Sequence, residues 1–400
     1  MSLPSGGQSL PMANLDIHRA VNTADLLRRL GVNVPGATAA IQKTEASTAP
    51  SPWRDPFAGS RETLPRKVLH ILNGDAAADQ LRRSGVPGTI SITADVLHEG
   101  PAPAGVPPER WRKIRARYLA ESGYDDYDRC LATLTEWDRS LESAEEYEEV
   151  VLWFEHDLFD QLLLIRTLDW SAGRHLGRTA LSLICIGEFP GVLPFDGLGQ
   201  LSPEQMASLV SKRRRVNEGQ KLLARDAWRA FCAPDPRGIE ELLRRDTSPL
   251  PFLAGALRRH LEEFPALRNG LSRTEHQALL GVAAGHGTFE RLFRATQRME
   301  ERVFLGDVPF LRHLRGLASG SRPLLRLEPS PNASLRSLGI SLTTTAWDVL
   351  EGRDDWVHIQ GIDRWRGGVH LQGAEAQWRW DAEGGRLVCS STLTQPCPDE

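Results

Sequence analysis

The sequence is poor in cysteine, and none of its cysteines forms a recognisable metal or redox pair. The five cysteines of this 400-residue chain are scattered, odd in number and never spaced as C-x-x-C; they are Cys130, Cys185, Cys232, Cys389 and Cys397. Such a set argues against a disulfide framework and against a zinc knuckle. We therefore expect the protein to work in a reducing cytoplasm.

Long apolar runs and an excess of positive charge are also missing. No stretch approaches the roughly 20 apolar residues that span a bilayer, so no membrane partner is expected. The first residues, MSLPSGGQSLPMANLD, lack the charged head and apolar stretch of a secretory signal. A formal net charge of −4 argues against binding nucleic acid through bulk charge, although a local basic patch stays compatible with it. What the chain does have is an ordinary globular composition, which can form a sizeable core.

Composition and pattern divide the chain into four predicted segments. The first is rich in Ser, Pro, Ala, Gly and Thr, which predicts a flexible leader. A strand-rich α/β ligand-binding domain, a helical connector and a winged-helix-like domain with a Trp-rich β tail follow it. The predicted boundaries are 1–64, 65–203, 204–266 and 267–400.

Short apolar runs alternate with helical patterns after the leader. The runs KVLHIL, GTISIT, EVVLWF and ALSLICI begin at residues 67, 88, 149 and 180, and polar or turn residues bound each of them. Runs buried on both faces are typical of parallel sheets, and strand–helix alternation favours a doubly wound α/β domain. The sequence thus predicts an α/β fold with an open, mostly parallel sheet and flanking helices, followed by a helical region that includes the basic run at 212–215.

Polar residues follow each predicted strand. They are Asn73, Gly74 and Asp75; Asp95, His98 and Glu99; Glu155, His156, Asp157, Asp160 and Gln161; and Glu188. Because ligands bind at the carboxyl ends of parallel strands, these side chains are expected to converge on one edge. So many carboxylates cannot all be ionised and unpaired there, because burial and mutual repulsion would raise their pKa values.

Three interpretations of this edge stay open. The carboxylates could hold a hard cation such as Mg²⁺ that binds a phosphate. A carboxylate and His156 could act as general base and acid without metal. Alternatively, Asp75, Asp157 or Asp160 could only cap the helices that follow them.

The C-terminal part predicts a second module. Ser272 and Glu275 form the S-x-x-E pattern of a capping box, and three helical patterns then precede two strands, the order of a winged helix. Its third helix would present Arg312 and Arg315 to DNA. This favours an alternative function, a ligand-sensing DNA-binding regulator. A partner-docking protein without chemistry is a third hypothesis.

The motifs HILNGD, ADVLHEGP and WFEHDLFDQL, together with SLTTTAWDVLEG, DRWRGGVHL and WRWD in the tail, resemble an uncharacterised bacterial family, the domain of unknown function 1835 (DUF1835). The likeness covers most of residues 67–382. It implies no activity, but it points to the same polar residues.

The leading hypothesis is a hydrolase or group transferase that binds a phosphorylated or nucleotide-like small molecule, with Mg²⁺ or another divalent cation as cofactor. Its predicted catalytic residues are Glu155, His156, Asp157 and Asp75. Its predicted ligand-binding residues are Asn73, Gly74, Asp95, His98, Glu99, Asp160 and Gln161, and its predicted metal ligands are Asp75, Asp95 and Asp157.

Overall fold

The computed structural model describes Leu64, residues 67–329 and residues 334–389. Apart from Leu64, the predicted leader at 1–64 lies outside the described residues. The strands are β1 (Val68–Leu72), β2 (Thr89–Ile92), β3 (Gly100–Pro101), β4 (Glu149–Phe154), β5 (Ala180–Cys185), β6 (Arg214–Arg215), β7 (Leu325–Glu328), β8 (Gly339–Leu342), β9 (Ile362–Gly367), β10 (Val369–Gly373), β11 (Trp378–Asp381) and β12 (Arg386–Cys389).

Helices alternate with these strands in the first half of the described chain and dominate its middle. They are α1 (Asp75–Arg83), α2 (Pro108–Glu121), α3 (Tyr127–Glu142), α4 (Leu158–Ala172), α5 (Pro203–Leu209), α6 (Glu218–Cys232), α7 (Arg237–Leu243), α8 (Leu253–Leu261), α9 (Arg273–Ala283), α10 (Phe289–Gln297), α11 (Asp307–Leu317), α12 (Thr344–Leu350) and α13 (Trp356–Gln360). None of the described helices is both long and apolar enough to cross a membrane.

A five-stranded sheet in the order β2-β1-β4-β5-β6 lies at the centre of the α/β part. The β1–β2, β1–β4 and β4–β5 pairs are parallel, whereas β6 runs antiparallel to β5 at the edge. This confirms the predicted α/β fold with a mostly parallel sheet. The four predicted strands match β1, β2, β4 and β5, and their carboxyl ends therefore share one edge.

Both faces of this sheet are covered. Every residue of β1, β4 and β5 is buried, and alternate residues of β4 belong to two separate cores: Leu152 packs with Leu162 and Leu168, while Trp153 packs with Met206. Apolar residues on both faces are the signature of a strand between two helical layers. Helix α4 is buried around nearly its whole circumference, as expected for a helix between a sheet and another layer.

The region at 204–266 is helical as predicted, except around its basic run. Arg214 and Arg215 form β6 instead of a helical turn, and Arg213 Nε donates to Glu149 Oε1 at 3.0 Å. The helical interpretation of this run was wrong. Pairing with β5 occupies a sheet edge that would otherwise expose unpaired backbone groups.

The C-terminal part shows the predicted order of elements. A capping box between Ser272 and Glu275 begins α9, and α9, α10 and α11 precede the antiparallel pair β7–β8. The tail forms two antiparallel pairs, β9–β10 and β11–β12. In addition β9 pairs in parallel with β3, so the tail is joined to the loop that follows β2. The predicted boundaries at 203/204 and 266/267, and the winged-helix assignment itself, stay predictions.

Candidate functional site

The turn between β4 and α4 gathers three carboxylates, because the chain reverses there from strand to helix within a few residues. Asp157 is the N-cap of α4, and its side chain accepts a hydrogen bond from the backbone N–H of Asp160 at 3.1 Å. Aspartate is favoured at this position because it satisfies a backbone donor that the helix leaves free. Asp160 lies in the first turn, so its side chain returns toward the end of the strand.

These three residues, Glu155, Asp157 and Asp160, are called the acidic cluster below. One carboxylate oxygen from each lies within 4.8 Å of the others. All three are buried, with exposed fractions of 5%, 4% and 1%. No Lys or Arg among the described residues forms an ion pair with any of them. The cluster is therefore a concentration of buried carboxyl groups without a paired cation in the described part of the chain.

Hydrogen bonds fix the cluster from two directions. Asn73, at the end of β1, donates from Nδ2 to Glu155 Oε1 at 3.0 Å and to Asp160 Oδ2 at 2.9 Å. The backbone N–H of Glu155 donates to Asp160 Oδ1 at 2.8 Å, and that of Leu198 donates to Glu155 Oε1 at 2.6 Å. The parallel pairing of β1 with β4 places Asn73 beside Glu155.

Burial shifts the pKa values of all three carboxyl groups upward. Desolvation, reinforced by the charge of Asp157, raises the pKa of Glu155 to about 8, although Leu198 and Asn73 donate to it. Desolvation raises the pKa of Asp157 to about 6, although hydrogen bonds from backbone N–H groups of α4 oppose this rise. Desolvation and the two neighbouring carboxylates raise the pKa of Asp160 well above its ordinary value. The folded chain thus disfavours three negative charges at this point.

Gln161 supports the turn rather than the cluster itself. Its Nε2 donates to the backbone oxygen of Glu155 at 2.5 Å and lies 3.4 Å from Cys185 Sγ, and the residue is 1% exposed. It therefore ties the end of β4 to the end of β5.

His156 is buried beside the acidic cluster. Its ring lies 6.0 Å from the rings of Phe195 and Phe252, and its Nδ1 has no hydrogen-bond partner among the described residues. Burial, with a smaller effect of the Arg302 charge, lowers the pKa of His156 to about 4. Burial therefore favours the neutral form of the imidazole.

Arg302 is a cation close to the turn that carries the acidic cluster, and sequence reasoning missed it. Its Nη1 donates to the backbone oxygens of His156 at 3.1 Å and Phe252 at 3.2 Å. The charge of Arg302 opposes part of the rise in the pKa of Asp157, although the two side chains form no ion pair. Because Arg302 lies about 145 residues further along the chain, no local pattern connects it to this edge.

Asp75 and Gly74 lie beside the acidic cluster at the start of α1. Gly74 is the N-cap of α1 and provides no side-chain hydrogen bond, and Asp75 is exposed in the first turn. Asp75 is not part of the acidic cluster, and Glu188, after β5, is also exposed.

Asp95 lies elsewhere, in a buried ion pair. Arg115 donates to its two carboxylate oxygens at distances of 2.6–3.2 Å, and both side chains have 0% exposure. Of the predicted metal ligands Asp75, Asp95 and Asp157, only Asp157 therefore belongs to the acidic cluster. The burial of Arg115 could have been predicted from the sequence, because Arg115 shares the buried face of α2 with Trp111 and Leu119.

His98 and Glu99 lie in a second polar region, against α11. Glu99 Oε2 accepts from Arg312 Nη1 at 2.7 Å, and His313 Nε2 lies 3.5 Å from Glu99 Oε1. Burial alone would raise the pKa of Glu99, but the hydrogen bond from His313 and the surrounding charges lower it to about 2. His98 is buried between Phe159 and Phe304, and neither of its ring nitrogens has a partner in the described chain.

The two arginines predicted to read DNA have different surroundings. Arg312 donates to Glu99, to the Tyr118 hydroxyl at 2.6 Å and to the backbone oxygen of Ser122 at 3.4 Å. Arg315 is exposed on α11. Since Arg312 is directed toward α2, the DNA-binding alternative retains only Arg315 of the pair and stays a prediction.

Neither a scan of protein-family models nor a search of curated proteins finds a match to this chain. The resemblance to the domain of unknown function 1835 therefore stays a prediction.

Proposed function

We propose that this protein is a metal-assisted hydrolase or group transferase whose divalent cation binds the acidic cluster. The observation that carries the proposal is the convergence of Glu155, Asp157 and Asp160 within 4.8 Å, all buried and none ion-paired to a described cation. A buried charge needs a compensating partner, and a bound cation provides one for all three at once. His156 lies between Glu155 and Asp157 in the chain, and its buried Nδ1 has no hydrogen-bond partner among the described residues.

The spacing of the cluster agrees with the size of such a cation. Ca²⁺ binds oxygens at about 2.3–2.6 Å and Mg²⁺ at about 2.0–2.1 Å, so two ligands on opposite sides of an ion lie about 4–5 Å apart. The three carboxylate oxygens lie within 4.8 Å of one another, which is compatible with this spacing. A small inward movement of the carboxylates would bring Mg²⁺ into contact with all three.

The start of α1 supports a phosphorylated substrate. The α1 N-cap, Gly74, has no side-chain cap, so the first backbone N–H groups of this helix are available to an anion. A Cβ atom on Gly199 would come within 2.9 Å of Ala76 Cβ, and the neighbouring Leu198 donates to Glu155. The first turn of α1, the turn at 197–200 and the acidic cluster are therefore contiguous.

Within this proposal each residue has a distinct chemical role. The three carboxylates hold the cation, which would polarise a phosphoryl oxygen or activate a water molecule. The neutral His156 accepts or returns a proton, and Asn73 orients Glu155 and Asp160. The buried, reduced cysteines Cys130, Cys185 and Cys232 support a cytoplasmic location for the enzyme.

The test combines cation binding with turnover. Native mass spectrometry with Mg²⁺ or Mn²⁺, before and after a chelator, would measure occupancy, and ³¹P NMR would follow a panel of phosphate esters. Asp157→Asn is the informative variant, because asparagine also caps a helix and so keeps the turn while removing a charge. We expect the wild type to bind one cation per chain. The variant should bind the cation at least tenfold more weakly and should lose turnover.

Asp79→Asn is the matched control, since Asp79 is exposed on α1 and, among the described residues, is paired only with Arg82. It should behave as the wild type. Equal cation affinity in Asp157→Asn and the wild type, or no cation bound by the wild type at millimolar concentration, would contradict the proposal.

A further inference from the structure

A cavity that shares no lining residue with the acidic cluster lies between α2, the segment after Glu99, α11 and β9. Its volume is about 950 Å³, which lies within the range of small-molecule sites. Residues from regions far apart in the sequence line it, including Tyr118 on α2, His313 on α11 and Trp365 on β9. The parallel pairing of β3 with β9 holds these walls together.

The lining is strongly basic although the chain is acidic overall. Six of its side chains are cationic and three are carboxylates, a formal excess of three positive charges. The cations are Arg110, Lys113, Arg117, Arg312, Arg364 and Arg366, and the carboxylates are Glu99, Glu121 and Asp363. A concave surface with charge of one sign concentrates ions of the opposite sign.

Two of the carboxylates have partners, and one of these partners is a cation of the lining, Arg312. Glu99 contacts Arg312 at 2.7 Å and His313 at 3.5 Å, and Asp363 Oδ1 lies 2.6 Å from His370 Nε2. Of the remaining cations, Lys113 pairs with Glu109, Arg364 with Glu275 and Arg366 with Glu263. Arg110 and Arg117 are the cations of the lining that have no carboxylate partner among the described residues.

The α2 wall carries guanidinium groups without partners. Arg110 and Arg117 are seven residues apart, with Ile114 between them, so they share one face of the helix. Neither forms an ion pair or a hydrogen bond through its side chain among the described residues. Both line the cavity and are free to bind an anion.

The β9 wall holds two further guanidinium groups in fixed positions. Arg364 Nη2 donates to the buried Glu275 Oε1 at 2.7 Å, and Arg366 Nε donates to the backbone oxygen of Glu263 at 3.0 Å. Residues two apart on a strand point to the same face, so the two charges lie side by side. Desolvation, followed by the Arg364 charge, lowers the pKa of Arg366, and the charges of Glu263, Glu99 and Glu275 oppose this effect. Side chains held in this way lose little entropy when they bind a ligand.

Two aromatic residues, Tyr118 and Trp365, are also among the lining residues. Trp365 stacks on His370 with ring centroids 4.2 Å apart, and the Arg312 guanidinium lies 5.5 Å from the Tyr118 ring centroid. Pro101, Val106 and Ile114 add apolar lining.

From this combination we propose that the cavity is a binding site for an organic phosphate that carries at least two negative charges and a planar apolar group. Guanidinium forks match phosphate oxygens, and the aromatic faces match the planar group. The site is separate from the acidic cluster and needs no metal.

The test is calorimetric titration with ADP, inorganic pyrophosphate, adenosine and citrate, all with a chelator present so that the acidic cluster carries no cation. We expect ADP to bind most tightly, pyrophosphate less tightly, and adenosine and citrate weakest. Binding of ADP should weaken as salt rises, because the contacts are ionic.

The variant is Arg110→Gln combined with Arg117→Gln; both side chains are exposed and unpaired in the described chain, so the fold should be kept. It should weaken ADP binding at least tenfold. Arg139→Gln, an exposed arginine on α3 outside the cavity, should leave binding unchanged. No ADP binding by the wild type at millimolar concentration, equal binding of citrate and ADP, or an unchanged affinity in the double variant would overturn the proposal.

Discussion

Asp95 and Arg115 form an ion pair in which both side chains are fully buried. Arg115 Nη2 lies 2.6 Å from Asp95 Oδ1, its Nε lies 3.0 Å from Oδ2, and both side chains are 0% exposed. The remaining guanidinium donors reach the backbone oxygens of Glu99 at 2.7 Å, Pro101 at 3.3 Å and Val96 at 3.2 Å. The pair therefore closes the loop between β2 and β3 onto α2, and it satisfies the carboxylate that the sequence offered as a metal ligand.

Breaking this pair should cost stability without affecting the cation. Asp95→Asn and Arg115→Met should each lower the free energy of unfolding by about 3–5 kcal/mol, because each leaves a buried group uncompensated. The double variant should lose less than the sum of the two, since neither charge is then left alone. Urea unfolding measures these differences. A strictly additive double variant, or cation affinity that changes in Asp95→Asn, would contradict the structural role.

Two substitutions of Asn73 should differ in how strongly Mn²⁺ stabilises the protein. Asn73→Ala removes the donor to Glu155 and Asp160 and should lower stability by about 1–3 kcal/mol. Asn73→Asp adds a fourth carboxylate, so it should destabilise the cation-free protein but increase the rise in Tm that Mn²⁺ produces. Thermal unfolding with and without Mn²⁺ checks both. If Mn²⁺ shifts Tm of Asn73→Asp no more than that of Asn73→Ala, Asn73 is not beside the cation.

Gly197 lies where a side chain would strike the acidic cluster. Its φ is +150°, and an added Cβ would lie within 3.0 Å of the Glu155 carboxyl carbon. Gly197→Ala should therefore lower both Tm and cation affinity. Gly105→Ala is the control, because Gly105 also has a positive φ, +69°, but has open space around it. Similar cation affinities in these two variants would count against a cation at Glu155.

His98 should make stability sensitive to acid. Burial lowers its pKa from 6.5 to about 4; Glu99 and Glu263 oppose this effect, and Arg366 and His313 add to it. Above pH 6.5 the ring is neutral in both states and contributes no pH dependence. Between pH 6.5 and about 4 only the unfolded chain takes up the proton. As the pH is lowered through this range, the free energy of unfolding therefore decreases by up to about 1.4 kcal/mol per pH unit.

His98→Phe isolates this contribution. Neither ring nitrogen of His98 has a described partner, so phenylalanine loses no hydrogen bond between Phe159 and Phe304. Urea unfolding at pH 7, 6 and 5 should show that the variant gains stability relative to the wild type as pH falls below 6.5. Parallel curves for the two proteins would show that His98 is not buried as a neutral ring.

The sheet and its edge were predictable because their signals are local. The apolar runs at β1, β2, β4 and β5 are bounded by polar residues, and parallel neighbours must end together, which placed Asn73 beside Glu155. The helix cap at Asp157 was readable for the same reason.

Partners from distant parts of the chain were not predictable. Arg302 and the backbone N–H of Leu198 reach the acidic cluster only through tertiary packing, and a backbone N–H leaves no signature in a sequence. The two-residue strand β6 is too short to show a period, so its basic residues resembled a helical face. The basic cavity depends on the pairing of β3 with β9, which no local pattern shows.

The most direct measurement of the proposed cation site is a crystal structure of the protein soaked in Mn²⁺, with anomalous diffraction data. We predict one strong anomalous peak within about 2.0–2.6 Å of oxygen atoms from Glu155, Asp157 and Asp160, and its disappearance in Asp157→Asn. A cluster without a peak in the wild type, or a peak that persists unchanged in the variant, would contradict the assignment of these carboxylates as cation ligands.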